Sequence, residues 1–347
     1  MNHQSQAQPR ATGRIEYIDA LRGFTMILVV LQHVALFSWH VFGHVTSVHD
    51  YLIQFRMPMF FFISGFVLFK AGVTWDLEQV TKFFRKKIPV QLISPFLFFA
   101  LFVYSTGDNL LDSINDEAKR GYWFTYTLFE YYVFYACTRF FIRKSWASVV
   151  LLVLGLITYI PLQFILPLPE QVLGFLGVAQ WKYFIFFVLG TIVREHYHRV
   201  ESLLDSKWLL PVCIVFYFVV NGFYGSLPDI YVVKWAIDLF LSFTGVAIIF
   251  SFFRKNQSHF TRDKVLGHSL QYIGRRTLDI YLIHYFLVPR LQGVTIFTDH
   301  PMPIIEAAAS LAVALLVIGC CLLISNVFRL SPFLAHWLFG AKYPATK

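Results

Sequence analysis

Arg22-Gly-Phe-Thr-Met-Ile-Leu-Val-Val-Leu-Gln-His33 is an apolar run that opens on an arginine and closes on a histidine. Eleven positions make three helical turns, so a helix here carries both ionisable groups on one face, about 16 Å apart along its axis. A run this apolar predicts a membrane helix, with Arg22 near one surface and His33 close to the midplane. Ionisable groups at such depth are costly and mark function. Asp19 and His40 extend the stripe at near-helical spacing, and a polar stripe of this kind faces the bundle, not lipid.

Composition says the same of the whole chain. Of 347 residues 57% are hydrophobic, 19% aromatic and 14% charged, with a mean hydropathy of +0.60. A soluble chain of this size would have to expose much of that aromatic surface, so the solvent is largely lipid. Mostly apolar spans of ~17–25 residues are expected near 22–43, 50–69, 88–106, 123–142, 146–167, 181–197, 208–225, 231–253, 276–294 and 304–328. The predicted fold is an all-α polytopic bundle of about ten transmembrane helices, one integral domain over 1–347. Residues 1–14 are expected to form a polar cytosolic tail and about 329–347 a cytosolic C-terminal tail, and no stretch is left for a soluble domain.

Charge orients the bundle. Of 29 Lys and Arg, this topology puts five (Lys119, Arg120, Lys182, Lys234 and Arg290) on one side, Arg56 inside a span and 23 on the other side. The positive-inside rule then makes both termini cytoplasmic. The net charge of +9 is that orientation signal plus any anionic headgroup or phosphate met there, and calls for no nucleic acid. No cleavage site is evident after the polar start, so the first helix is expected to be retained. Cys137, Cys213, Cys320 and Cys321 all fall within spans, with no disulfide framework and no metal-ligand spacing.

Other constellations carry chemistry. In Thr277-Leu278-Asp279-Ile280-Tyr281-Leu282-Ile283-His284, residues Thr277, Tyr281 and His284 share a face, while Asp279 lies roughly 140° away from His284. His284 approaches the depth of His33, and burial favours neutral rings that can accept a proton. Arg56 and Glu130 fall at matching depth on the second and fourth helices. They are either an ion pair fixing register or two walls of a polar cavity. Pro58 should kink the second helix and free a carbonyl near that cavity. Ser64-Gly65 reads as a close helix contact. Arg85-Lys86-Lys87, just before the third span, is either a headgroup anchor or a phosphate clamp for a soluble cofactor. The outer loop near 107–122, with Asp108, Asp112, Asp116 and Glu117, is placed to shape an entrance.

Together these segments resemble the acyltransferase 3 family of multi-pass membrane carbohydrate O-acyltransferases. The likeness rests on Tyr17-Ile18-Asp19-Ala20-Leu21-Arg22-Gly23 running into His33, the family's Arg-x10-His signature. It is supported by Met57-Pro58-Met59-Phe60-Phe61-Phe62-Ile63-Ser64-Gly65-Phe66, by Tyr122-Trp123-Phe124 leading to Glu130-Tyr131-Tyr132, and by Tyr281-Leu282-Ile283-His284. The family often has two arginines three apart before the third helix, where this chain has Arg85-Lys86-Lys87.

The resemblance implies transfer of an acyl group, commonly acetyl, from cytosolic acyl-CoA to a hydroxyl of an extracytoplasmic or lipid-linked glycan, in the inner membrane of a bacterium. His33 would be the general base. Arg22 or His284 would face the charge that develops on the thioester carbonyl, or Arg22 would hold a CoA phosphate. Arg85, Lys86 and Lys87 would bind the donor, with Asp19, Arg56, Glu130 and Tyr281 around the substrate cavity. Direct transfer and an acyl-histidine intermediate both fit. No metal is implied. The rival reading is a transporter or exporter of a polar metabolite with a histidine-lined path. The absence of a visible internal repeat weighs against it.

Overall fold

The computed structural model describes residues 15–41, 48–142, 146–226, 230–291, 294–300 and 302–341, and among them there is no strand. The helices are α1 (Glu16–Ser38), α2 (Val48–Leu68), α3 (Leu77–Ile88), α4 (Ser94–Thr106), α5 (Leu110–Asn115), α6 (Trp123–Phe141), α7 (Trp146–Tyr159), α8 (Glu170–Leu176) and α9 (Phe184–Glu195). Then come α10 (Tyr197–Asp205), α11 (Leu209–Phe223), α12 (Tyr231–Lys255), α13 (Val265–Arg275), α14 (Thr277–Leu287), α15 (Ile296–Asp299), α16 (Pro303–Phe328) and α17 (Pro332–Phe339).

Each of the ten expected spans holds a helix, yet among the described residues six are long and apolar enough to cross a membrane. These are Glu16–Ser38, Tyr51–Leu68, Leu77–Thr106, Leu209–Ser226, Val232–Lys255 and Pro303–Phe328, and the pair Glu170–Leu176 and Val178–Glu195, bent by 41°, would make a seventh. Length and apolarity alone set that number, and shorter apolar helices such as α7 and α14 fall below it. α14 has 11 residues and is about 16 Å long. It sits inside the protein, where neighbours rather than lipid surround its backbone. The apolar faces that do look outward, such as Val212, Val215 and Phe218 on α11 or Leu316 and Leu323 on α16, are exposed, as expected of a multi-pass membrane protein.

At the centre, α2, α6, α9 and α12 interlock through Phe61, Phe62, Tyr131, Phe184, Phe187 and Phe250, in tilted and edge-to-face pairs. Small residues let the helices close. A Cβ on Gly65 would lie 1.9 Å from the Phe187 carbonyl oxygen, and one on Gly190 2.0 Å from that of Phe62, so Gly65 is the close contact its sequence suggested. Pro58 stands inside α2, which runs on as one helix. The carbonyl it leaves unpaired, Gln54 O, accepts from Ser242 Oγ of α12 at 2.7 Å. The freed acceptor therefore joins two helices; it does not serve the cavity.

Arg85, Lys86 and Lys87 lie in the last turn of α3, an amphipathic helix that passes through a π turn at Pro89–Ile93 into α4. The positive ends of these side chains there complement the helix dipole.

Candidate active site

α13 and α14 reach α1 because two glycines let the backbones touch. A Cβ on Gly23 would meet the Leu270 carbonyl oxygen at 2.0 Å, and one on Gly274 that of Asp19 at 1.8 Å. Near the other end of α1, Ser38 Oγ donates to the Pro289 carbonyl at 2.6 Å, and His40 Nε2 donates to that of Leu291 at 2.8 Å. These ties straddle His33 and bring it beside His284. His33 sits five residues from the Ser38 end of α1 and seventeen from Glu16, so it lies nearer that end than the middle of the helix.

His33 Nδ1 and His284 Nε2 are 2.9 Å apart, with ring planes 19° from parallel. The proton positions follow from the surrounding acceptors. His284 Nδ1 lies 3.0 Å from the Ile280 carbonyl oxygen and 2.9 Å from that of Tyr281. Carbonyls only accept, so this nitrogen carries the hydrogen. In the neutral ring Nε2 is then an acceptor, and His33 Nδ1 must donate to it. His33 is thereby held as the tautomer whose Nε2 bears a lone pair. His284 orients the ring as a carboxylate orients the histidine of a hydrolytic triad.

Tyr285 Oη lies 3.3 Å from that Nε2 but donates its own hydrogen to the Gly121 carbonyl at 3.0 Å. It becomes an acceptor for His33 once Nε2 gains a proton. Tyr281 Oη donates to the same carbonyl, also at 3.0 Å. The oxygen that serves both tyrosines belongs to a turn in which Lys119, Arg120 and Gly121 have φ of 44°, 51° and 100°. For the two non-glycine residues that conformation costs of order 1–3 kcal/mol each. Lys119 holds the turn: its Nζ donates to the Ile114 carbonyl at 2.9 Å and to that of Gly174 at 2.8 Å. Burial pushes its ammonium down to about 8, against the opposing pull of Glu130, Asp116 and Glu117.

A cavity of about 520 Å³ passes His33, Arg56 and Tyr285 and continues to Lys70, Lys82 and Lys86, a volume typical of small-molecule sites. Arg22 lines it too, with Nη2 donating to Thr277 Oγ1 at 3.1 Å. Along α3 the wall takes positions 79, 82, 83, 86 and 87, one stripe of a helix. Arg85 is exposed and off that stripe, whereas Lys87 is on it, with Nζ donating to Tyr132 Oη at 3.3 Å.

Of the residues singled out in the sequence, His33, His284, Arg22, Tyr281, Arg56, Lys86 and Lys87 gather at or around the cavity. Asp19 is buried off its wall, 3.6 Å from Arg275 Nε. Glu130 is also off the wall and accepts from Trp181 Nε1 at 3.1 Å. No ion pair joins it to Arg56 among the described residues. Arg56 is buried on the wall, and its Nε and Nη1 have no hydrogen-bond partner. Asp279 points away from His284 and binds Arg329 on the α16 side at 2.9 and 3.0 Å. Tyr285, Gly121, Lys70 and Lys82 were not foreseen. Two of them carried a signal: Tyr285 is one turn beyond Tyr281, and Lys82 one turn before Lys86.

With this arrangement in view, the chain is placed by comparison. The sequence model of the acyltransferase 3 family, described as an acyltransferase domain, matches residues 15–325. The protein belongs to that family and is a multi-pass membrane acyltransferase. No curated protein and no solved structure matches it.

Proposed function

We propose that this protein is an O-acyltransferase that moves an acyl group, acetyl in the first instance, from cytosolic acyl-CoA to a hydroxyl of an extracytoplasmic or lipid-linked glycan in a bacterial inner membrane. One observation carries the reading. The His284–His33 pair presents a neutral imidazole with a free Nε2 beside a cavity whose other end is lined by lysines. A sugar hydroxyl is a poor nucleophile until a base takes its proton, and a neutral histidine so oriented is suited to that.

In this mechanism Lys70, Lys82 and Lys86 bind the phosphates of the donor, and the long arm of CoA carries the thioester along the cavity. Phosphate contacts from lysine are charge-assisted and need no shaped fork. Arg22 lies about 16 Å from His33 along α1, so it belongs with the donor and not with the reacting carbonyl. The acceptor hydroxyl attacks the thioester carbon while His33 Nε2 takes its proton. Tyr285 Oη then accepts from the imidazolium. Collapse of the tetrahedral adduct breaks the C–S bond, and His33 returns the proton to the departing CoA sulfur. Direct transfer of this kind needs no acyl-enzyme. A donor side that is cytosolic, as this scheme requires, agrees with the charge asymmetry read from the sequence.

The test uses purified protein in lipid nanodiscs with labelled acetyl-CoA and a lipid-linked glycan fraction. Transfer should be lost in His33→Ala while the protein remains folded; undiminished turnover in that variant overturns the assignment. Flux of a polar solute through proteoliposomes without acyl-CoA would favour a transporter. Mass spectrometry of surface glycans with and without the gene identifies acyl group and acceptor together.

A further inference from the structure

Arg56 is the side chain that the acyl-transfer scheme leaves unexplained. It is about nine-tenths buried on the cavity wall, and Nε and Nη1 are sealed from solvent without a hydrogen-bond acceptor. No carboxylate pairs with it among the described residues, Glu130 being engaged by Trp181. A buried cation without a partner is expensive and is tolerated where an anion arrives. Arg56 is also near enough to His33 and Tyr285 to interact electrostatically with both.

The donors around it are already committed. The His33 Nδ1 hydrogen goes to His284, the Tyr285 and Tyr281 hydroxyls go to Gly121, and Arg22 Nη2 goes to Thr277. Nor is a standing anion at hand. The lysines that suit the donor phosphates lie toward and beyond the Leu68 end of α2, twelve residues from Arg56 and about 18 Å along the helix. Beside His33, negative charge forms when the hydroxyl adds to the carbonyl and the C=O electron pair moves onto oxygen.

We infer that Arg56 is a catalytic residue whose unpaired guanidinium receives the oxyanion of the tetrahedral adduct, opposite the His33 base. The inference rests on the acyl-transfer reading. It assigns to one residue the task that backbone amides perform in hydrolase oxyanion holes. When the adduct collapses, the oxyanion's electron pair re-forms the carbonyl, the C–S pair goes to the CoA sulfur and takes the proton held by His33, and Arg56 is unpaired again, having given up no proton. A free donor is required at that moment, which accounts for its having no partner at rest.

The experiment is isotope-edited infrared spectroscopy of acetyl-CoA, labelled with carbon-13 at the thioester carbonyl, bound to the wild-type protein and to Arg56→Met and Arg56→Lys in nanodiscs. The wild type should move the carbonyl band to lower wavenumber, Arg56→Lys should keep part of the shift, and Arg56→Met should lose it. In the transfer assay kcat should fall roughly a hundred- to a thousandfold in Arg56→Met, with the donor KM nearly unchanged. Arg56→Met should melt no lower than the wild type, because it removes an unpaired buried charge; this also guards against mistaking misfolding for lost chemistry. A shift that persists in Arg56→Met, or a loss confined to KM, overturns the inference and leaves the acyl-transfer reading intact. Absence of acetyl-CoA binding by the wild type sinks both.

Discussion

Replacing His284 by phenylalanine tests the tautomer argument directly. The ring volume is nearly kept in a fully buried site, but the acceptor for His33 Nδ1, now 2.9 Å away, is gone. A buried donor left unmatched costs about 1–3 kcal/mol. His33 escapes that cost by moving its hydrogen to Nε2, where Tyr285 Oη at 3.3 Å can accept it. That tautomer has no lone pair facing the cavity. The same 1–3 kcal/mol corresponds to a shift of about 5- to 150-fold in the tautomer ratio, so kcat should drop by a comparable factor while the acyl-CoA KM holds. His284→Gln keeps an acceptor oxygen and should recover most of the loss. Nitrogen-15 NMR of histidine-labelled protein reads the tautomer independently of turnover. A kcat for His284→Phe within twofold of wild type, with the Nδ1–H tautomer retained, would refute the reasoning.

The lysine stripe of α3 predicts that Lys82→Ala with Lys86→Ala raises the donor KM tenfold or more, at about 1.5–3 kcal/mol per charged contact, whereas Arg85→Ala leaves it within twofold; acyl-CoA titrations decide. Gly121→Ala would place a methyl 2.2 Å from the Tyr285 ring at a φ of 100°, so it should lower the melting temperature and at least tenfold of the turnover, about 1–3 kcal/mol of strain; an unchanged variant counts against the turn as a support for Tyr285. Lys119 has a folded pKa near 8 against about 10.4 in a free chain. Between these values the unfolded state holds the extra proton, so this group's contribution makes stability rise with pH. The wild type should gain on Lys119→Met from pH 8 to 10 in thermal melts, and a gap that narrows instead contradicts the assignment.

Much of the candidate site's geometry was legible in one dimension. Helical spacing put Arg22 and His33 on one face and Tyr281 with His284 on another, and cost arguments for buried ionisable groups singled them out. What spacing cannot express is which faces meet. His33 finds His284 because Gly23 and Gly274 allow two backbones to touch, a contact invisible until both helices are placed. Glu130 shows the converse. Its depth matched Arg56, yet an indole hydrogen bond satisfies it. Arg85 was grouped with Lys86 and Lys87 by adjacency; because the run lies within a helix, neighbours along the stripe are three or four residues apart, not one. Apolar length likewise measures burial of any kind, and α14, short and apolar, is buried by protein, so letters alone do not separate a span from a core helix.

The two tyrosines that share the Gly121 oxygen, and the two carbonyls at His284 Nδ1, together close the histidine pair at both ends. A proton conductor needs a continuous file of groups that can each receive a proton on one side and release it on the other. A backbone carbonyl does neither, so a proton that reaches His33 has nowhere to travel onward. It can leave only by the way it came, back into the cavity. In the proposed reaction, such a cul-de-sac would keep the borrowed proton within reach of the sulfur that needs it next.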